Sequence, residues 1–370
     1  MSSNYLVLLA AVPSFLITLA AVPWVQRRAS EWGLVARPRN DRFHKEPTPL
    51  GGGLAIWLGV VGTFAAVQIL LWLIALGVLP IEALPQLLAT HFAGLEQQAP
   101  KLWVLLAAAT VMMILGLIDD RGGVNWRSRL GVQAFVAAIM VWQGWQLTAF
   151  IDAPLVTAAL SVIWIVGIVN AFNMLDNMDG LSAGVAWIAA AFLIAVILTA
   201  PSPASNGPQL FVAGFLLVLT GALAGFWRYN RPPATIFMGD AGSYFVGFCL
   251  ATATLMATFA GGDMPKHAVF APLCVLAVPI YDMLTVVVIR LRAGRSPFEG
   301  DKNHFSHRLV ALGLSPTQAV WTIYLLTAAC GLGALLLHQV NELGAVVILV
   351  MIGCMLSTIA ILEATARRDR

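Results

Sequence analysis

Apolar runs of about 18 or more residues recur along the whole chain, and such a run with few charges is long enough to span a bilayer as a helix. In hydrocarbon every backbone N–H and C=O must be satisfied internally, which leaves helices or a closed barrel. Barrel strands would alternate apolar and polar residues, and these runs do not. The pattern predicts eleven spans at roughly 5–25, 53–75, 102–118, 130–148, 157–173, 181–199, 209–227, 241–260, 268–289, 316–337 and 343–362. A mean hydropathy of +0.85, with 59% hydrophobic and 11% charged residues, lies far outside the soluble range. The expected fold is therefore an all-α, polytopic membrane protein, one integral-membrane domain over 1–370 without a soluble domain, repeat or long linker.

Orientation follows from the basic residues. With the first segment outside, all of the 21 Lys and Arg except Lys101 and Lys266 fall in cytoplasmic segments. That asymmetry implies an N-out, C-in topology, and a net charge of +3 conceals it. The first run lacks a basic leader and is longer than a signal-peptide core, so it is expected to remain as a span. Cys249, Cys274, Cys330 and Cys354 all lie in predicted spans, where they are expected to pack as small apolar residues.

The polar residues able to do chemistry fall in four short breaks, all on the predicted cytoplasmic side. These are DDRGG (Asp119 to Gly123), NAFNMLDNMDG (Asn170 to Gly180), FMGDAGS (Phe237 to Ser243) and GDKNHFSHR (Gly300 to Arg308). Asp119 and Asp120 end a span where two acids oppose the helix dipole; such a pair can bind a divalent cation or accept a proton. Asn170, Asn173, Asp176 and Asp179 recur every three residues, a spacing that drifts about 60° per step on a straight helix. The helix is therefore expected to end near Asp176, with Gly180 helping the turn. Hard oxygen ligands at this density suit Mg²⁺ or Mn²⁺. Asp240 reads as an N-cap for the next helix, whose N-terminus would suit a phosphate. Phe237 is either an interfacial anchor or a stacking surface for a base. His304 and His307, beside Lys302 and Arg308, are either solvated or hold phosphate oxygens. Asp282, inside a span, is expected to pair with a neighbouring helix. Taken together, the residues point to metal-dependent phosphoryl chemistry at the inner surface, where a soluble nucleotide would have one entry and a lipid phosphate another; the residues alone do not name the substrates.

In these blocks the chain resembles the polyprenyl-phosphate N-acetylhexosamine-1-phosphate transferases. It carries four of that family's blocks in order, and a fifth, HKEPTPLGGG (His44 to Gly53), after the first span. The likeness covers about 40–310 of the chain, the motif-bearing region. It implies Mg²⁺-dependent transfer of a sugar-1-phosphate from a UDP-sugar to undecaprenyl phosphate at the cytoplasmic face of the inner membrane, with release of UMP. By motif position, Asn173 and Asp240 would be metal ligands, and Asp119 and Asp120 the pair near the lipid phosphate, with Asp119 the favoured base. Asp176, Asp179 and Phe237 would line the nucleotide pocket, and Lys45, His304, His307 and Arg308 would contact phosphates. A homodimer is suggested by the likeness, and no nucleic-acid partner is expected. The branch that starts O-antigen and teichoic-acid chains usually shows His-x-His-His, where this chain has His304-Phe305-Ser306-His307. The three-histidine run of the peptidoglycan branch is absent, so UDP-GlcNAc is the default donor. The rival reading is a secondary transporter, whose site would lie near the midplane between related repeats.

Overall fold

The computed structural model describes residues 8–36, 47–83, 89, 92–147, 153–200, 209–257, 259, 265–301 and 303–368. Lys45 and Lys302 lie outside them. The helices are α1 (Ala11–Arg28), α2 (Gly52–Ala75), α3 (Phe92–Gly122), α4 (Trp126–Trp142), α5 (Pro154–Leu175), α6 (Leu181–Thr199), α7 (Leu210–Asn230) and α8 (Gly239–Met256). They continue with α9 (Ala271–Val275), α10 (Ala277–Arg292), α11 (Phe305–Ala311), α12 (Pro316–Leu336) and α13 (Glu342–Arg368). Every predicted span is overlapped by a helix, α9 and α10 sharing the ninth. α3 starts at Phe92, ahead of the expected border, so Lys101 is helical.

Seven helices among the described residues are long and apolar enough to cross a membrane: α2, α3, α5, α6, α7, α12 and α13. Counting the segment Lys266–Arg292 as one broken span makes eight. That segment bends by 66° at Leu276. Pro279 supplies the cause, since it has no N–H for the Val275 carbonyl four residues back.

α8 is the least apolar of the deeply placed helices and also the most enclosed. Every residue from Ala241 to Leu255 is buried, against α3 and α5 on two sides and α2, α6 and α7 on the rest. Its sequence, GDAGSYFVGFCLATATLM, is rich in small and hydroxyl residues because its neighbours are protein. Small residues let helix backbones approach closely where lipid supplies no hydrophobic drive between helices. α13 is the opposite case, with Leu343, Val346, Val347, Val350 and Met351 exposed and Ala345, Ile348 and Ile352 packed inward.

Exposed tryptophans mark the two ends of the bundle. Trp24, Trp126 and Trp321 sit at the end that carries the polar breaks, and Trp72 and Trp142, 61% and 84% exposed, at the other. Indole rings favour the membrane–water boundary, so this placement fits a slab crossed by the bundle.

A two-stranded antiparallel ribbon, β1 (Val35–Ala36) with β2 (Thr48–Pro49), closes the polar end in the register Val35↔Pro49. From it the Gly51–Gly53 segment docks on the start of α8. Gly52 and Gly53 donate backbone N–H to Phe237 O (3.0 Å) and Met238 O (2.9 Å), and Phe237 N–H returns to Pro49 O (2.9 Å). The approach requires glycine: a Cβ on Gly53 would lie 2.1 Å from Gly242 N. Gly53→Ala is therefore expected to destabilise the protein by about 1–3 kcal/mol, the range for overpacking. Gly214→Ala, which meets open space, is expected to be neutral or mildly stabilising. Thermal denaturation of both variants in detergent checks this, and equal melting temperatures would contradict it.

Candidate active site

All four breaks, and Leu50 from the Gly-rich block, line one cleft of about 1010 Å³ at the Trp24 end of the bundle. α3, the α5–α6 break, the start of α8 and the α10–α11 loop each supply a wall.

Asp119 and Asp120 leave the end of α3 in different directions. Asp120 accepts backbone N–H bonds from Asp240 on Oδ1 (2.9 Å) and Ala241 on Oδ2 (3.1 Å). These are second and third residues of α8, whose N–H groups have no partner within the helix. The sequence reading of Asp240 as the N-cap is thus corrected. Met238 occupies that position without a side-chain bond, and Asp120 caps α8 from another helix. The apparent clash of two acids with the α3 dipole is resolved, because Asp120 faces the positive end of α8. Gly239, at φ +70°, makes room: a Cβ there would lie 2.6 Å from Asp120 Oδ2.

Asp119 is held by three donors: Val124 N–H on Oδ1 (2.7 Å), and Tyr244 O–H (2.7 Å) and Arg129 Nη1 (3.3 Å) on Oδ2. Arg129 lines the cleft and its Nε is buried without a hydrogen-bond partner. One turn further along α4, Gln133 is buried and accepts from Asn170 Nδ2 at 2.7 Å. The polar Arg129–Gln133 face was not singled out from sequence, since Arg129 entered only as a topology signal. An i, i+4 polar stripe on an otherwise apolar helix was the available clue.

α5 ends at Leu175, with Asp176 as its C-cap and Gly180 at φ +73°, as the three-residue spacing had required. Asn173 donates to Asp240 Oδ1 at 2.6 Å and to Ser243 at 3.2 Å, joining the second and third breaks. Asp179 lines the cleft but also accepts Ala234 N–H at 2.9 Å, tying the break to the turn before Phe237. Asn230 accepts Gly180 N–H at 3.1 Å and donates to Ile236 O at 2.9 Å. Phe237 lines the same wall.

The fourth wall is built on Asp301 and Asp282. Asp301 accepts from Arg290 Nη2 (3.1 Å) and from the Asn303 side chain (2.7 Å) and backbone (3.1 Å). Burial pushes its carboxyl up, but these bonds and the Arg290 charge outweigh it and hold the pKa at about 2. This contribution is complete above the ordinary carboxylate pKa and lost only as pH falls through about 2, so the loop keeps its anchor at any working pH. Asp282 accepts the Phe305 N–H (2.5 Å) and pairs with His304 Nδ1 (3.1 Å), the neighbouring-element pairing expected of it. Stacked rings of Trp126 and Phe298, 4.1 Å apart, join this loop to the start of α4.

His304 and His307 line the cleft, 6.4 Å apart between ring centres. Arg308 does not. It is buried behind α11, paired with Glu363 at 2.9 Å and bonded to Thr285 at 2.9 Å and to the Asn303 carbonyl. A phosphate contact by Arg308 is therefore not what the geometry offers, and Arg121, Arg129 and Arg290 are the guanidinium groups that line the cleft. Ser306, where the resembled pattern has histidine, is buried and donates its hydroxyl to Asn177 Oδ1. It ties α11 to the α5–α6 break.

Fold and cleft define an integral-membrane protein with a cleft lined by acids, arginines and histidines at one end of a helical bundle. The chain matches the family described as Glycosyl transferase family 4 over residues 102–258. It is 30% identical, over 90% of its length and 85% of the relative's, to the probable undecaprenyl-phosphate N-acetylglucosaminyl 1-phosphate transferase of Bacillus subtilis (strain 168). It is 35% identical, over 88% and 81%, to the decaprenyl-phosphate N-acetylglucosaminephosphotransferase of Mycobacterium tuberculosis (strain ATCC 25618 / H37Rv). Identity to the undecaprenyl-phosphate alpha-N-acetylglucosaminyl 1-phosphate transferase of Escherichia coli (strain K12) is 28%, over 89% and 84%. The chain belongs to glycosyl transferase family 4 and is a membrane-bound transferase.

The cross-helix cap has a direct test. Asp120→Ala strands two helix N–H groups and is expected to lower stability by about 1–3 kcal/mol. Ser306→Ala removes one bond from a partly buried partner and is expected to cost about 0.5–1.5 kcal/mol. Chemical denaturation in mixed micelles measures both, and an Asp120→Ala variant as stable as wild type would rule out the cap.

Proposed function

We propose that this transferase moves N-acetylhexosamine-1-phosphate, GlcNAc-1-phosphate by default, from a UDP-sugar to undecaprenyl or another polyprenyl phosphate. UMP is released and a cell-envelope glycan is begun. The observation that carries the reading is the convergence of all four acidic and histidine-bearing breaks on one cleft at one bundle end. A lipid phosphate reaches such a site along the bundle side and a soluble nucleotide from the open end. A transporter would need its acids near the midplane, where these are not.

In the reaction an oxygen of the lipid phosphate attacks the β-phosphorus of the UDP-sugar. A new P–O bond forms as the bond from that phosphorus to the oxygen of UMP breaks. Asp119, oriented by Tyr244, Arg129 and the Val124 amide, takes any proton carried by the attacking phosphate. Arg129, Arg290, His304 and His307 hold the charge of the diphosphate, and Lys45, outside the described residues, is assigned the same role. Asp176, Asp179 and Phe237 line the nucleoside end, with Phe237 stacking on the base.

Among the described residues no three His, Cys, Asp or Glu side chains form a metal cluster. That donor set does not fit zinc, but it fits Mg²⁺ (or Mn²⁺), which takes one or two carboxylates and fills its shell with water and substrate phosphates. Asp240 would hold it with the amide oxygen of Asn173, whose NH₂ is spent on Asp240 Oδ1. When bound, the metal neutralises diphosphate charge.

The same reading assigns eleven spans, an N-out, C-in topology and a cytoplasmic cleft in the inner membrane. A homodimer is left as its expected assembly. Two outcomes are expected. Asp240→Ala and Asn173→Ala each abolish Mg²⁺-dependent UMP release while the protein still folds. Asp119→Asn loses kcat by roughly 10²–10⁴-fold with little change in UDP-sugar affinity, as for removal of a general base. Near-normal turnover in either metal-site variant would sink the metal assignment. Cysteines at Ser296 and Val78, both exposed, report the orientation: labelling of Ser296→Cys from inside and Val78→Cys from outside is expected.

A further inference from the structure

We infer that Glu363, on the last helix and away from the cleft, is a positioning residue for transfer, acting through Arg308 to hold His307 in place. The inference rests on the transfer reading above.

α11 has seven residues, too few to hold a helical conformation alone, so its place is set by what it touches. Its front carries His307 into the cleft, with His304 just ahead of it at the N-cap. Its N-terminus is fixed by Asp282, and its back by Arg308, a buried guanidinium reaching three separate elements. These are Thr285 on α10, the Asn303 carbonyl in the loop, and Glu363 on α13. Only Glu363 supplies charge. Tyr281 O–H donates to the same Glu363 oxygen at 3.0 Å, and the Arg308 guanidinium lies 6.0 Å from the Tyr281 and Phe305 ring centres.

Anchoring α13 does not explain this carboxylate. The helix already packs through Ala345, Ile348 and Ile352 and otherwise presents apolar residues. A buried ion pair adds little stability over apolar side chains of the same volume, so the use assigned to this one is to hold the guanidinium against α13 by charge, at 2.9 Å. Arg308 and His307 are adjacent on one short helix, so any shift of Arg308 moves the imidazole. Displacements near 1 Å at a phosphoryl-transfer site cost about 10²-fold in rate.

The test is a double-mutant cycle on the full-length protein in detergent, reading UMP release with UDP-GlcNAc and undecaprenyl phosphate. Glu363→Gln is expected to lower kcat roughly 10- to 100-fold with little change in the UDP-GlcNAc KM. In the His307→Ala background the same change is expected to do nothing further, because its route to the chemistry is gone. Equal losses in both backgrounds, or wild-type kcat in Glu363→Gln, would overturn the inference. If Glu363→Gln does not fold, Tyr281→Phe, which removes one bond to the same carboxylate, runs the same cycle with a smaller expected loss. A second readout needs no activity: carbethoxylation of His307 by diethyl pyrocarbonate, followed by mass spectrometry. Glu363→Gln is expected to speed labelling at His307 and leave His267, at the opposite bundle end, unchanged; unchanged His307 labelling counts against the pair. Absence of UMP release from wild type would defeat the transfer reading, while labelling would still decide on Glu363.

Discussion

One carboxylate, Asp120, holds the site together. By taking two backbone N–H groups at the start of α8, it welds the end of α3 to the N-terminus of the most enclosed helix in the bundle. Those N–H groups have no partner within the helix, so without this carboxylate two donors at the head of a buried helix would lose their hydrogen bonds. The bond sets where α8 begins, and that places Asp240 beside Asn173 and Tyr244 beside Asp119. Gly53, Gly116 and Gly239 are the clearances that let the pieces approach so closely.

Much of this was legible in the chain. Apolar run length marked the helices, because backbone satisfaction in lipid forces one secondary structure and leaves little to choose. The end of α5 at Leu175 followed from a spacing that no straight helix could use on one face. Less legible was anything that depends on which helix is central. α8 reads as a span over 241–260 like the others, and nothing local shows that its surroundings are protein or that its cap comes from a residue far away in sequence. Asp240 looked like that cap because its local context, an acid at a helix start, is the common one.

Side-chain direction was the other gap. Arg308 shares a motif with His307, and sequence proximity suggested a shared target. On a helix successive residues point about 100° apart, so one faces the cleft and the other its supporting wall. Ser306 belongs to the same lesson. A shorter side chain stands where histidine is usual, and it reaches Asn177 instead, joining two walls of the cleft. Arg129 and Arg290 were counted toward membrane orientation, yet they stand at the cleft, so a single charge can serve both purposes.

The enclosure of α8 bears on how the molecule is made. A helix with Asp240, Ser243, Thr252 and Thr254 is a poor candidate to settle alone in lipid, where polar side chains carry an insertion penalty. Its principal neighbours, α2, α3, α5, α6 and α7, all precede it in the chain. During synthesis they reach the membrane first and form a lined slot before α8 emerges. The order of elements along the chain thus brings the apolar helices that enclose α8 into the membrane ahead of it.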